Sequence, residues 1–182
     1  MGIIKSTLPQ HSLLTGTNYA YVDSFQGTYL DVANDISSQD IGKAFFYSAP
    51  KWTAQLFELR NRLVSVFGLK TPDKTQDRQA LLDNFTCEAG ERLGLFKVFD
   101  RTENEVILGE DDRHLDFRIS LYKESTSGHG GTKNLTLSTT VTFHNRFGKL
   151  YFLPVKPFHR LIVPIMLNGI IHQIENNRNV FA

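Results

Sequence analysis

The stretch Pro157-Phe158-His159-Arg160-Leu161-Ile162-Val163-Pro164-Ile165-Met166-Leu167-Asn168-Gly169-Ile170-Ile171-His172-Gln173-Ile174 decides how the rest of the chain is read. Pro157 suits the first position of a helix, where no N–H is needed and φ is already set. At helical spacing, Phe158, Leu161, Ile162, Ile165 and Met166 form one stripe, with Gly169 in line. Val163, Leu167, Ile170, Ile171 and Ile174 fall on the other side. A helix apolar on both sides must be covered on both sides or lie in a membrane. Arg160, Pro164, Asn168 and His172 break the run, and a span needs about 20 predominantly apolar residues. No membrane span is therefore expected, and the preceding chain should supply the cover.

That cover reads as strands. Leu95–Phe99 and Glu105–Leu108 are joined by a turn at 101–104, and a second turn at 109–113 leads into His114–Leu121. Along this last strand the odd positions are apolar and the even ones polar, which puts Phe117, Ile119 and Leu121 on one face. After a Gly-rich loop at 125–132, Leu135–Phe143 repeats the alternation, with Leu137, Val141 and Phe143 on the buried side. Thr139 is the one hydroxyl in that row, a hint of a polar contact inside. Lys149–Leu153 reads as a fifth strand that Pro154 ends. A meander with one polar face matches an all-apolar helix if the sheet curves around it.

Upstream, residues 1–17 read as a polar lead-in and Tyr19–Phe25 as the first strand, able to close a sheet edge. Two helices should follow. One starts near Ser37 or Ser38 with Asp40 in its first turn, turning Ile41, Phe45 and Phe46 inward. The other runs from Lys51 to Phe67, opened by Pro50 and closed by Gly68. Residues 70–92 form an irregular excursion. The expected fold class is α+β, a helix-grip fold in which a curved antiparallel sheet wraps a long C-terminal helix, as one domain over 1–182.

Composition narrows the function classes. Hydrophobic residues make up 41% and charged residues 21%, as in an ordinary globular protein, and the net charge of +1 offers nucleic acid no general attraction. The single Cys87 excludes an internal disulfide framework and fits a reducing, cytoplasmic setting; it reads as a small buried hydrophobe. No basic-then-apolar signal peptide opens the chain. Met1-Gly2 with Ser6 formally matches a myristoylation pattern, which is short and common by chance.

Several blocks resemble a known family. They are Pro50-Lys51-Trp52, Leu59-Arg60-Asn61-Arg62-Leu63, Phe67-Gly68-Leu69, and Glu110-Asp111-Asp112-Arg113-His114-Leu115-Asp116-Phe117-Arg118. Leu137-Ser138-Thr139-Thr140-Val141, His144-Asn145, Gly148-Lys149-Leu150-Tyr151 and Pro157-Phe158-His159-Arg160 complete the set. Together, from roughly Tyr19 to Ile171, they are similar to the bacterial family called domain of unknown function 2867. The resemblance implies the Bet v 1-like or START-like (SRPBCC) superfamily, which contains lipid carriers, hormone receptors and polyketide cyclases. In some proteins a similar domain is fused to a nicotinamide-dependent oxidoreductase, and this sequence carries no such domain. Fold is the gain, and fold does not imply function.

Candidate chemistry comes in three groups. His114, Asp116 and Arg118 share a strand face, and one register sets His114 opposite His144, Asp116 opposite Thr142 and Arg118 opposite Thr140. Such a cluster, with Glu110, Asp111 and Asp112 nearby, can bind zinc or transfer protons. It lies on the polar face, however, where charged turns are normally solvated. His159 and Arg160 open the expected helix, where they either meet an anionic head group, helped by the helix N-terminus, or pair with a carboxylate such as Asp31 or Asp116. Asn168 and His172 lie one turn apart and need hydrogen-bond partners if buried. There is no HExxH, no paired CxxC and no phosphate loop.

The leading expectation is a binding protein for a small hydrophobic or amphipathic molecule held between sheet and C-terminal helix. Its lining would be Phe117, Ile119, Leu121, Leu137, Thr139, Val141, Phe143, Ile162 and Met166, with His159, Arg160, Thr139 or His172 orienting a polar end. No cofactor, metal or nucleic acid is expected. The alternatives are a cyclase- or hydratase-like enzyme acting on such a ligand, and an interaction module with a filled core. Ligand identity and oligomeric state stay open.

Overall fold

The alternation of residues 92–143 builds most of a seven-stranded antiparallel sheet. The computed structural model describes residues 2–48, 82, 84–124 and 129–179. In chain order its elements are β1 (Ile4–Ser6), β2 (Tyr21–Leu30), α1 (Ser38–Tyr47), β3 (Arg92–Leu93), β4 (Phe96–Arg101), β5 (Glu105–Asp111), β6 (Leu115–Lys123), β7 (Thr132–Phe143) and α2 (Arg146–Asn179), with one helical turn at His129–Gly131 before β7. The strand order is β1-β2-β7-β6-β5-β4-β3, so β3 to β7 form a five-strand meander and β2 joins its end by pairing with β7. The curved sheet and long C-terminal helix make an α+β architecture consistent with a helix-grip-like fold. The expected helix 51–67, its Pro50 and Gly68 boundaries, and residues 70–81 lie outside the described residues.

The expected register is the observed one: Asp116 faces Thr142 and Arg118 faces Thr140 across β6 and β7. The odd residues of β2, β6 and β7 therefore share the face that meets the helices. Leu121, Leu137 and Leu135 pack there with Ile41 and Phe45 of α1 and with Leu167, Ile170 and Ile171 of α2. Ser37 caps α1 as its sequence suggested. Its hydroxyl accepts the Asp40 N–H at 3.1 Å, and the Asp40 carboxylate accepts the Ser37 N–H at 2.9 Å.

Three expectations are overturned. Lys149–Leu153 is not a strand but the start of α2, which begins at Arg146 and runs 34 residues through Pro154, Pro157 and Pro164. Asn145 sets that start, its side-chain oxygen accepting the Gly148 N–H at 3.0 Å. Each proline deprives the carbonyl four residues earlier of its donor. Those carbonyls belong to Leu150, Leu153 and Arg160, residues on the solvent side, where water can satisfy them. Pro157 is thus an interior residue, and the helix N-terminus lies far from His159.

The second correction concerns residues 1–17. Ile4–Ser6 pairs with Ser24–Gln26 and forms the sheet edge. Residues beyond it reach the outer face of the sheet, where Glu105 is fully buried. The Glu105 carboxylate accepts the Ser12 hydroxyl at 2.5 Å and the Leu13 N–H at 2.7 Å, and also the Ser120 hydroxyl. A polar side chain on the sheet's outer face is here enclosed by an N-terminal strap that carries its donors.

The third is the cover of α2. Val163, Leu167, Ile170, Ile171 and Ile174 are buried, whereas Phe158, Leu161 and Ile165 of the other stripe are exposed. Gly169 has a packing role in the same helix. A Cβ there would lie 3.1 Å from the Ser48 carbonyl oxygen, so glycine lets the end of α1 approach α2 closely.

Candidate functional site

Helix α2 crosses two apolar clusters and, between them, a polar seam. Near its start, Phe152 packs with Tyr21, Leu115 and Val141, and Phe117, Phe143, Tyr151 and Val155 adjoin them. Further along, Val163, Leu167, Ile170, Ile171 and Ile174 join the main core, with Ile119, Leu121 and Leu137 opposite and Met166 against its edge. The residue of α2 between the two clusters that turns toward the sheet is His159.

Strand β2 places Tyr21 and Asp23 on the same face, two residues apart, and the pairing with β7 sets Thr139 directly opposite Asp23. The Tyr21 hydroxyl donates to Asp23 Oδ2 at 2.8 Å, and the carboxylate is almost fully buried. His159 Nδ1 stands 4.0 Å from the same oxygen, beyond hydrogen-bond reach. The His159 ring meets the Tyr21 ring edge-on at 6.0 Å. Burial holds the His159 imidazole below its ordinary value, with Asp23 pulling the other way. Burial, reinforced by the hydrogen bond to Asp23, pushes the Tyr21 phenol up to about 12, while the positive charge of Arg160 opposes the rise.

Two atoms of this seam have no partner. Thr139 Oγ1 and His159 Nδ1 are both buried and make no hydrogen bond among the described residues. An unpaired buried polar group costs about 1–3 kcal/mol and calls for an explanation. Beside the seam lies an open groove of about 420 Å³. Tyr21, Phe143, Leu150, Phe152 and Leu153 form its apolar lining. Arg146, Lys149 and Lys156 supply cations, and Lys156 Nζ sits 5.4 Å above the Tyr21 ring. Tyr21 therefore belongs to both features, with its ring on the groove and its hydroxyl on the buried carboxylate.

Thr139 and His159 both lie beside Asp23, His159 in mid-helix rather than at a helix N-terminus, and Arg160, next in sequence, is exposed. Phe117, Ile119, Leu121, Leu137, Val141, Phe143 and Met166 face the helices within the apolar clusters. Ile162 is half-buried, while Asn168 and His172 lie on the exposed side of α2, apart from the seam. Arg160 pairs with neither suggested carboxylate. Asp31 holds Lys133 at 2.8 Å in a fully buried pair, and Asp116 holds His144 at 2.9 Å.

The outer-face cluster does not converge on a metal site. His114 bonds to Asn145, Arg118 pairs with Asp111 at 2.5 Å and stacks on Phe99, and no group of three metal-ligating side chains gathers among the described residues. Cys87 is buried, and burial pushes its thiol up to about 12, which disfavours the reactive thiolate. Sequence reasoning missed Tyr21 and Asp23. Asp23 could have been found by its phase, since it occupies an inward position between Tyr21 and Phe25.

A profile of the family of proteins of unknown function DUF2867 matches residues 16–166, and the chain belongs to that family. No curated protein matches the chain. No solved structure matches it.

Proposed function

We propose that the protein binds a small amphipathic molecule at the junction of β2 and α2. The apolar body would lie in the groove on Tyr21, Phe143 and Leu153, near the cations Lys149 and Lys156. A polar end would reach the seam, giving Thr139 and His159 the partners they lack. The observation that carries this reading is that pair of buried, unpartnered polar atoms flanking Asp23 next to an apolar groove. Membership of the Bet v 1-like or START-like superfamily, which we also propose, agrees with it.

Thr139→Val tests the reading in two directions. Removing an unpaired buried hydroxyl should leave the free protein as stable or more so, by up to about 1 kcal/mol in urea denaturation. The same change should weaken binding of a fluorescent fatty-acid probe about five- to tenfold, the worth of one hydrogen bond. A probe that fails to bind the unmodified protein, or binds the variant equally well, sinks the proposal.

A second reading, acid–base catalysis on such a ligand, is favoured by the buried His159 imidazole standing 4.0 Å from the Asp23 carboxylate. His159→Gln would then abolish turnover of a bound substrate while probe binding survives.

A further inference from the structure

Helix α2 carries a face that neither the sheet nor α1 uses. Leu150, Leu153, Phe158, Leu161 and Ile165 lie along it and are between 49% and 67% exposed. Arg146, Lys149, Lys156 and Arg160 accompany them over the same half of the helix. No Asp or Glu occurs from Arg146 to Ile174; the first acid, Glu175, is turned to the sheet and accepts the Leu30 N–H at 3.1 Å. The helix is long and apolar enough to cross a membrane, with only 17% of its most apolar window buried.

We infer that this exposed face of α2 docks on the surface of an anionic lipid bilayer. The other side of the helix belongs to the core through Val163, Leu167 and Ile170, so the helix lies in the interface rather than spanning it. Apolar side chains enter the acyl boundary and the cations meet lipid phosphates, an arrangement that one-signed charge suits. A second copy of the chain is a poorer occupant. Pairing this face with itself would bring cation against cation with no carboxylate on the stripe to offset them.

This face shares Arg146, Lys149, Leu150, Leu153 and Lys156 with the groove proposed above, but Leu161 and Ile165 lie outside it, so substituting those two separates the two proposals. The full chain would be sedimented with vesicles of phosphatidylcholine alone and of phosphatidylcholine mixed with phosphatidylglycerol. Binding to the mixed vesicles, weakened by added salt, is expected. Leu161→Glu with Ile165→Glu should lower that partitioning by roughly tenfold or more, given the transfer cost of each apolar side chain, while fatty-acid probe binding stays unchanged. Salt and head-group dependence of the unmodified chain test the claim even if the variant fails to fold. Absence of binding to the anionic vesicles overturns it, as does equal binding to neutral ones. So does a concentration-dependent dimer that the same substitutions dissolve, since a second copy would then cover the face.

Discussion

At His159 the cost of burial falls on the charged form, so the unfolded chain takes up a proton at a pH where the folded chain does not. Its folded value is depressed below the ordinary 6.5, which makes stability full above that value and declining as pH falls below it. A urea midpoint followed from pH 8 downward should therefore drop below about 6.5. In His159→Phe this part of the drop should vanish, and an unaltered pH profile would exclude His159 as its source. At this scale the sequence was informative where a polar residue broke an apolar row, as Thr139 does. The run Tyr19–Phe25 marks a strand but does not by itself say which of its faces is buried, so Tyr21 and Asp23 do not stand out. The two residues bond to each other, but the seam is completed by Thr139 of β7 and His159 of α2, more than a hundred residues on, which nothing local names.

For whole elements, propensity misled where packing prevailed. Lys149-Leu150-Tyr151-Phe152-Leu153 has the aromatic residues of a strand and a following Pro154, yet it is helical. Phe152 and Val155, three residues apart, both reach the cluster around Tyr21, a spacing that suits a helix and not a strand. Gly148 locks this first turn against the β5–β6 turn: a Cβ there would stand 2.2 Å from the His114 carbonyl oxygen. Backbone cannot swing aside as a side-chain tip does. Gly148→Ala should destabilise the fold by about 1–3 kcal/mol in urea denaturation, despite alanine's better helix propensity. A neutral or stabilising result would mean that α2 does not seat on His114 as described.

Across the whole molecule, the meander and the helix it holds were legible because both periods, two in strands and 3.6 in helices, are strong between residues 95 and 174. The strap was not legible, since Pro9–Gly16 has no periodicity and its anchor, Glu105, lies 92 and 93 residues away from Leu13 and Ser12. Glu105→Ala would leave the Ser12 and Ser120 hydroxyls and the Leu13 N–H without an acceptor. A loss of about 3 kcal/mol or more is expected, because bonds to a charged group are worth about 1.5–3 kcal/mol each. Amide exchange at Leu13 and Leu14 should quicken selectively, and unchanged protection there would show that the strap is held by other contacts. The same anchor constrains the order of events during synthesis. Residues 9–16 leave the ribosome well before their acceptor and the Ser120 hydroxyl beside it are made, and β2 must likewise wait for β7. A segment made early is thus among the last to find its place, and a nascent chain halted before Glu105 would carry residues 9–16 unattached.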